Sequence, residues 1–147
     1  MLRLSGYHDD RLDAASDAVC TALQLTNFWQ DLSIDRDKGR LYVPASIWQA
    51  HGAREEDLEQ GRVTAAWRAA LADVTVRTRA LFAAGAPVAD GVRGRLRYEL
   101  RATWLGGSRI LDKLEAANFD VFTHRPTLTK ADVPVILWRA VIWQPRG

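Results

Sequence analysis

The chain has 147 residues, 48% hydrophobic and 26% charged, the balance of an ordinary globular protein with enough apolar content for a sizeable core. Twenty Lys and Arg stand against eighteen Asp and Glu, a formal charge of +2, so charge alone demands no polyanionic partner and a nucleic-acid binder is the weakest class. One cysteine excludes an internal disulfide and a cysteine-built zinc site, no apolar run reaches the ~18–20 residues of a membrane span, and no signal-peptide pattern opens the chain, so a reduced, cytoplasmic setting is expected.

Residues 1–8 read as a lead-in, after which Asp9 or Asp10 caps a helix predicted to reach about Ile34. Each helical residue advances roughly 100°, which places Cys20, Gln24, Asn27, Asp31 and Asp35 within an arc of roughly 80°. The intervening Leu23, Leu25, Phe28, Trp29 and Leu32 are large and apolar, so the helix is expected to be buried on several sides, its polar stripe included. Buried Gln, Asn and Asp side chains require partners. A hard cation such as Mg²⁺, which takes carboxylates, waters and phosphate oxygens, fits Asp31 and Asp35, with amide oxygen from Asn27 and support from Gln24. A solvated pair of aspartates near a helix end is the alternative reading of the same spacing. Asp13 and Asp17 share the spacing, but they precede Asp31 on one helix by roughly 21 Å or more and read as acids near the positive end of the helix dipole.

Next comes a basic turn, Arg36-Asp37-Lys38-Gly39-Arg40, where glycine permits a sharp reversal and three cations can meet a polyanion. Carboxylates for a cation beside such a turn suit the binding and ionisation of a diphosphate ester. An extended piece, 41–43, ends at Pro44; Tyr42 is either near a substrate or an ordinary packed aromatic. Short helices are predicted over 45–51 and 55–60, each closed by glycine, and a long amphipathic helix over 64–84 ended by Gly85 and Pro87. Asp90 is expected to cap a helix running to about Ala117, with Leu96, Leu100, Trp104 and Leu111 on one stripe and Arg93, Arg97 and Arg101 on another. The arginine stripe reads as a solvated face partly paired through Glu99, with contact to anionic lipid or to nucleic acid as the alternatives. Gly106-Gly107 inside that helix costs about 1 kcal/mol per glycine relative to alanine, which close helix packing or room for a ligand would explain. Residues 119–129 read as a loop holding His124, and 132–143 as a last short helix. His8, His51 and His124 form no ligand pattern.

The run Asn27-x-x-Gln30-Asp31-x-x-x-Asp35-x-x-x-Gly39-Arg40-x-Tyr42-x-Pro44 resembles the second aspartate-rich motif of the squalene/phytoene synthases, as do the stretches 16–25 and 103–111. The resemblance covers nearly the whole chain. It implies an all-α fold without a β-sheet, the C-terminal portion of the helical isoprenoid-synthase fold, as a single partial domain over 1–147. The N-terminal half with the first aspartate-rich motif is not among these residues, as expected of a fragment, an internal start or the product of a disrupted gene, with a second polypeptide that supplies it as one alternative. Members usually carry Arg where this chain has Gln30 and Glu where it has Ile34 if they are phytoene-type. The Phe28-Trp29-Gln30 and Trp104-Leu105-Gly106-Gly107 variants resemble the hopanoid-pathway squalene/hydroxysqualene synthase branch.

The resemblance implies Mg²⁺ on Asp31, Asp35 and Asn27, with Asp31, Asp35 and Tyr42 catalytic. It further implies a prenyl diphosphate (presqualene or farnesyl diphosphate) held by Gln24, Asn27, Arg36, Lys38 and Arg40, with Trp104 shielding a carbocation by cation–π attraction. Water capture would yield hydroxysqualene; hydride capture would need NADPH, for which the chain has no glycine-rich fingerprint. Alone, the chain is expected to be weakly active or inactive and to expose apolar surface. Phytoene- or presqualene-type condensation, and a non-catalytic helical interaction module, are the competing readings. A cytoplasmic enzyme, peripheral at the inner membrane, is the expected setting.

Overall fold

A computed structural model describes residues 6–145; the first five residues of the expected lead-in lie outside the described residues. Among the described residues the chain forms eight helices and no strand. Asp9 accepts the Arg11 N–H on its carboxylate at 2.8 Å and so caps α1 (Asp10–Gln30), as its position before the apolar periodicity predicts. The 9–34 helix is interrupted once. Asp31 leaves α-helical geometry and α2 (Leu32–Asp37) begins after it, yet the Asp31 N–H reaches the Asn27 carbonyl at 2.9 Å and the Asp35 N–H the Asp31 carbonyl at 2.8 Å. The i→i+4 ladder therefore runs through the join and keeps Asp31 and Asp35 one turn apart.

Two short helices follow, α3 (Ala45–Ala50) and α4 (Glu55–Glu59), closed by Gly52 and Gly61. The long α5 (Ala65–Gly85) ends at the predicted glycine. The helix expected to start at Asp90 is in fact two: α6 (Val88–Gly91) and α7 (Gly94–Ala116). Val92 is extended between them and Gly94 has φ +64°, a conformation that reverses the chain and that side-chain-bearing residues avoid. Asn118, at φ 51°, stops α7 as predicted, and α8 (Asp132–Ile142) is the last helix.

The chain divides into two compact units. One holds the residues up to Gln24, Arg79–Arg109 and those from Leu128 on; its core includes Val19, Phe82, Val88, Val92 and Trp104. Within it α1 and α5 approach so closely that a Cβ on Gly85 would lie 2.8 Å from the Ala15 carbonyl oxygen. The other holds Leu25–Thr78 and Ile110–Thr127, with a core of Trp29, Leu32, Leu58, Trp67, Leu71 and Leu114. Its buried Trp67 donates its indole N–H to the Arg54 carbonyl at 2.6 Å, and Trp29 donates to the Thr78 hydroxyl at 2.9 Å, so neither ring leaves a polar atom stranded.

Candidate active site

The helix α1 buries Ala15, Val19, Ala22, Thr26, Trp29 and Gln30, an arc of roughly 100°. The polar stripe lies opposite. Cys20, Gln24 and Asn27 are exposed and Asp31 and Asp35 half-buried, so the expectation of a buried stripe fails. The reason is that small residues, Ala15 and Ala22, complete one apolar face, and the large Leu23, Leu25 and Phe28 flank it half-exposed. The stripe is thus open to a ligand rather than satisfied from within.

In the second unit the stripe carries Asn27, Asp31 and Asp35. Asp31 receives the Arg125 guanidinium at 2.6 Å, across 94 positions of sequence. The loop that presents Arg125 is held by Gln30, whose buried amide donates to the Pro126 carbonyl at 2.5 Å. Asp35 has no side-chain partner among the described residues. Below it α2 closes in a Schellman turn. The Gly39 N–H bonds the Arg36 carbonyl at 2.9 Å and the Arg40 N–H the Asp35 carbonyl at 2.8 Å, with Gly39 at φ +71°. This turn sets Lys38 and Arg40 in solvent, and among the described residues neither forms an ion pair. Arg36 differs: it is engaged by Glu59 of α4 at 2.6 Å.

Tyr42 packs. Its ring stacks on Phe28 with centroids 4.0 Å apart and planes 9° from parallel, beside an apolar pocket of about 160 Å³ lined by Ile47 and Val74. In the first unit Trp104 is a core residue, buried, with its indole N–H on the Phe82 carbonyl at 2.7 Å and its ring edge-on to Phe82 and Trp143. Gly107 is explained by close packing, since a Cβ there would lie 2.6 Å from Phe82 Cζ and 2.7 Å from Leu23 Cδ2; at Gly106 it would meet only Leu128, at 3.4 Å. The same unit holds an apolar cavity of about 430 Å³ lined by Val19, Cys20, Leu23, Val88, Leu96 and Leu100. Of the arginine stripe, Arg97 donates to the Val92 carbonyl and Arg101 pairs with Asp90. Glu99 pairs with Arg95 instead of with the stripe, because Arg95 precedes it by one turn.

Among the described residues no three His, Cys, Asp or Glu side chains gather as a metal cage, and no helix is long and apolar enough to cross a membrane. Two carboxylates one turn apart, one of them unpartnered, are what a hard cation completed by water and phosphate oxygens requires. Residue types and placement therefore fit Mg²⁺. Sequence reasoning missed Arg125, Glu59 and the Gln30 anchor; all act across long separations, and a lone loop arginine carries no local signal of its partner.

A family profile described as squalene/phytoene synthase matches residues 1–132. The chain belongs to the squalene/phytoene synthase family. Its members are prenyltransferase-type enzymes of isoprenoid biosynthesis, and the all-α architecture is the one expected of them. The chain is similar to the phytoene synthase of Thermus thermophilus, 34% identical over 122 residues that make up 82% of this chain and 42% of the relative. Phytoene synthase 3 of Zea mays is 31% identical over 85% of the chain and 29% of its own length, and the Oncidium phytoene synthase 30% identical over 91% and 35%. The chain thus spans less than half the length of these squalene/phytoene synthase relatives.

Proposed function

We propose that the chain carries the second diphosphate site of a C30 isoprenoid synthase of squalene/hydroxysqualene type, acting on presqualene diphosphate in a cytoplasmic setting. The observation that supports this best is the open Asp31–Asp35 stripe beside Lys38 and Arg40, two cations on the Schellman turn that form no ion pair among the described residues. Asp31, Asp35 and Asn27 would hold Mg²⁺, and the chemistry a bound Mg²⁺ supplies is neutralisation of charge on the leaving diphosphate. Lys38 and Arg40 bind the diphosphate, Lys as a point charge and Arg by its fork. Arg125 fixes the Asp31 carboxylate, with Gln30 fixing the loop behind it. Arg36, engaged by Glu59, positions α4 against α2 and adds charge at longer range. Gln24, on the α1 stripe, is a hydrogen-bonding side chain for a phosphate-bound water.

In the reaction the C–O bond breaks and the diphosphate leaves with the electron pair. The cyclopropylcarbinyl cation rearranges and a ring C–C bond breaks, and the resulting acyclic C30 cation takes a water molecule, which loses one proton to give hydroxysqualene. The apolar cavity of the first unit, beside Val19 and Leu23, suits a hydrocarbon chain. Phytoene-type condensation of two prenyl diphosphates is the second reading, favoured by the names of the relatives; Gln30, Ile34 and the Trp104–Gly107 run favour the first. Incubation with presqualene diphosphate and Mg²⁺, with Asp31→Asn beside it, tests the proposal by mass spectrometry. Hydroxysqualene from the wild type alone is expected when the site suffices; phytoene-type product from geranylgeranyl diphosphate, with presqualene diphosphate untouched, would replace the first reading by the second.

A further inference from the structure

The two cations assigned to the diphosphate stand on a turn that holds little of its own. Asp37, Lys38, Gly39 and Arg40 are all exposed, and a Cβ on Gly39 would meet nothing within 4 Å. The nearest buried side chains are Leu32 before the turn and Val43 after it. What fixes the turn is the end of α2: the Gly39 N–H bonds the Arg36 carbonyl, and the Lys38 and Arg40 N–H groups bond the Asp35 carbonyl. A helix of six residues whose N-cap makes no side-chain hydrogen bond needs a tertiary tie to stay folded. Arg36 supplies it. Its side chain is only 18% exposed, its Nε is buried with no hydrogen-bond partner among the described residues, and its terminal nitrogen meets Glu59 at 2.6 Å. A guanidinium so far withdrawn from water depends on its counter-charge more than a surface cation does.

Glu59 is itself held. It ends α4, whose Leu58 is buried and whose N-cap residue, Arg54, accepts the indole N–H of Trp67 on its carbonyl at 2.6 Å. Contacts therefore run from α5 through α4 to the end of α2. An acid beside an anion site opposes binding by Coulomb repulsion, so its presence there requires a compensating role. We propose that Glu59 is a positioning residue for the diphosphate turn: it neutralises and fixes Arg36, and through the Arg36 carbonyl it holds Lys38 and Arg40 in place for the anion. This rests on the diphosphate reading of the Asp31–Asp35 stripe and adds to it a residue that acts only through its partner. The competing role, a carboxylate that withholds Arg36 from the ligand, predicts the opposite effect of removing it.

Calorimetric titration of farnesyl diphosphate in Mg²⁺ compares the wild type, Glu59→Ala, Lys38→Ala/Arg40→Ala and the variant that combines all three changes. Glu59→Ala should weaken binding roughly fivefold with an unchanged circular dichroism spectrum, since Glu59 is itself exposed. In the combined variant, where the turn has no cation left to place, loss of Glu59 should change affinity by less than about 1.5-fold. In the ligand-free chain, NMR should show the Gly39 and Arg40 amides exchanging with solvent roughly threefold faster in Glu59→Ala, with the Asp31 amide unchanged. Binding by Glu59→Ala that equals or exceeds that of the wild type overturns the proposal. So does an equal loss with and without the turn cations, which would mark a general loss of stability, and so does unaltered exchange of the turn amides. A wild type that binds no farnesyl diphosphate ends the diphosphate reading itself, and the role of Glu59 with it.

Discussion

Asp35 presents a carboxylate with no side-chain partner among the described residues, while Asp31, one turn earlier, shares its own with Arg125. The two aspartates are therefore not equivalent. Arg125→Ala should lower diphosphate affinity in Mg²⁺ roughly tenfold by releasing Asp31. It should lower folding stability by less than about 1 kcal/mol, because the pair is partly exposed and screened. Calorimetric titration beside a thermal melt checks both. The two central glycines of α7 also part ways. Gly107→Ala must push Phe82 or Leu23 aside and should cost about 1–3 kcal/mol. Gly106→Ala meets only ordinary contact and should be neutral or stabilise by up to about 1 kcal/mol, as alanine does in a helix. Urea unfolding should show Gly107→Ala destabilised and Gly106→Ala not; a Gly107→Ala variant as stable as the wild type would mean that room for a ligand, not the Phe82 contact, keeps Gly107.

At the scale of elements, α5 shows how pH enters stability. The Arg77 guanidinium, hydrogen-bonded one turn after Asp73, and His51 of the α3 end hold the Asp73 carboxyl below its usual range. A carboxyl with a depressed folded-state pKa contributes stability that is complete above its unfolded value and lost as pH falls through the folded one. The melting temperature should therefore fall as pH drops from about 5 through the carboxylate range, and Asp73→Asn should flatten part of that slope. Asp120, held low by hydrogen bonds from Thr123, acts in the same direction.

These elements were largely legible in the sequence. Periodicity and glycine stops placed α3, α4 and α5 to within a residue or two, and Asp9 and Asn118 marked ends because cap and left-handed geometries favour those residues. The break at Val92 was not legible, because Arg93–Arg101 continues a helical pattern and only the φ of Gly94 shows the reversal. Nor was the exposed side of α1, since half-exposed Leu23 and Phe28 look like core in a linear sequence.

Across the whole chain, family membership and the aspartate stripe were readable from one contiguous motif, because its residues are helix neighbours. Its supports were not, because Arg125 meets Asp31 and Glu59 meets Arg36 only through the fold. The central claim is that the stripe of α1 and α2 binds a diphosphate through a divalent cation. Calorimetric titration of farnesyl diphosphate into the wild type and Asp35→Asn, each with Mg²⁺ and with EDTA, tests it most directly. Binding by the wild type that EDTA abolishes, and that Asp35→Asn weakens by a factor on the order of 30 or more with its circular dichroism unchanged, is the predicted result. Equal binding with EDTA, or by Asp35→Asn, would contradict it.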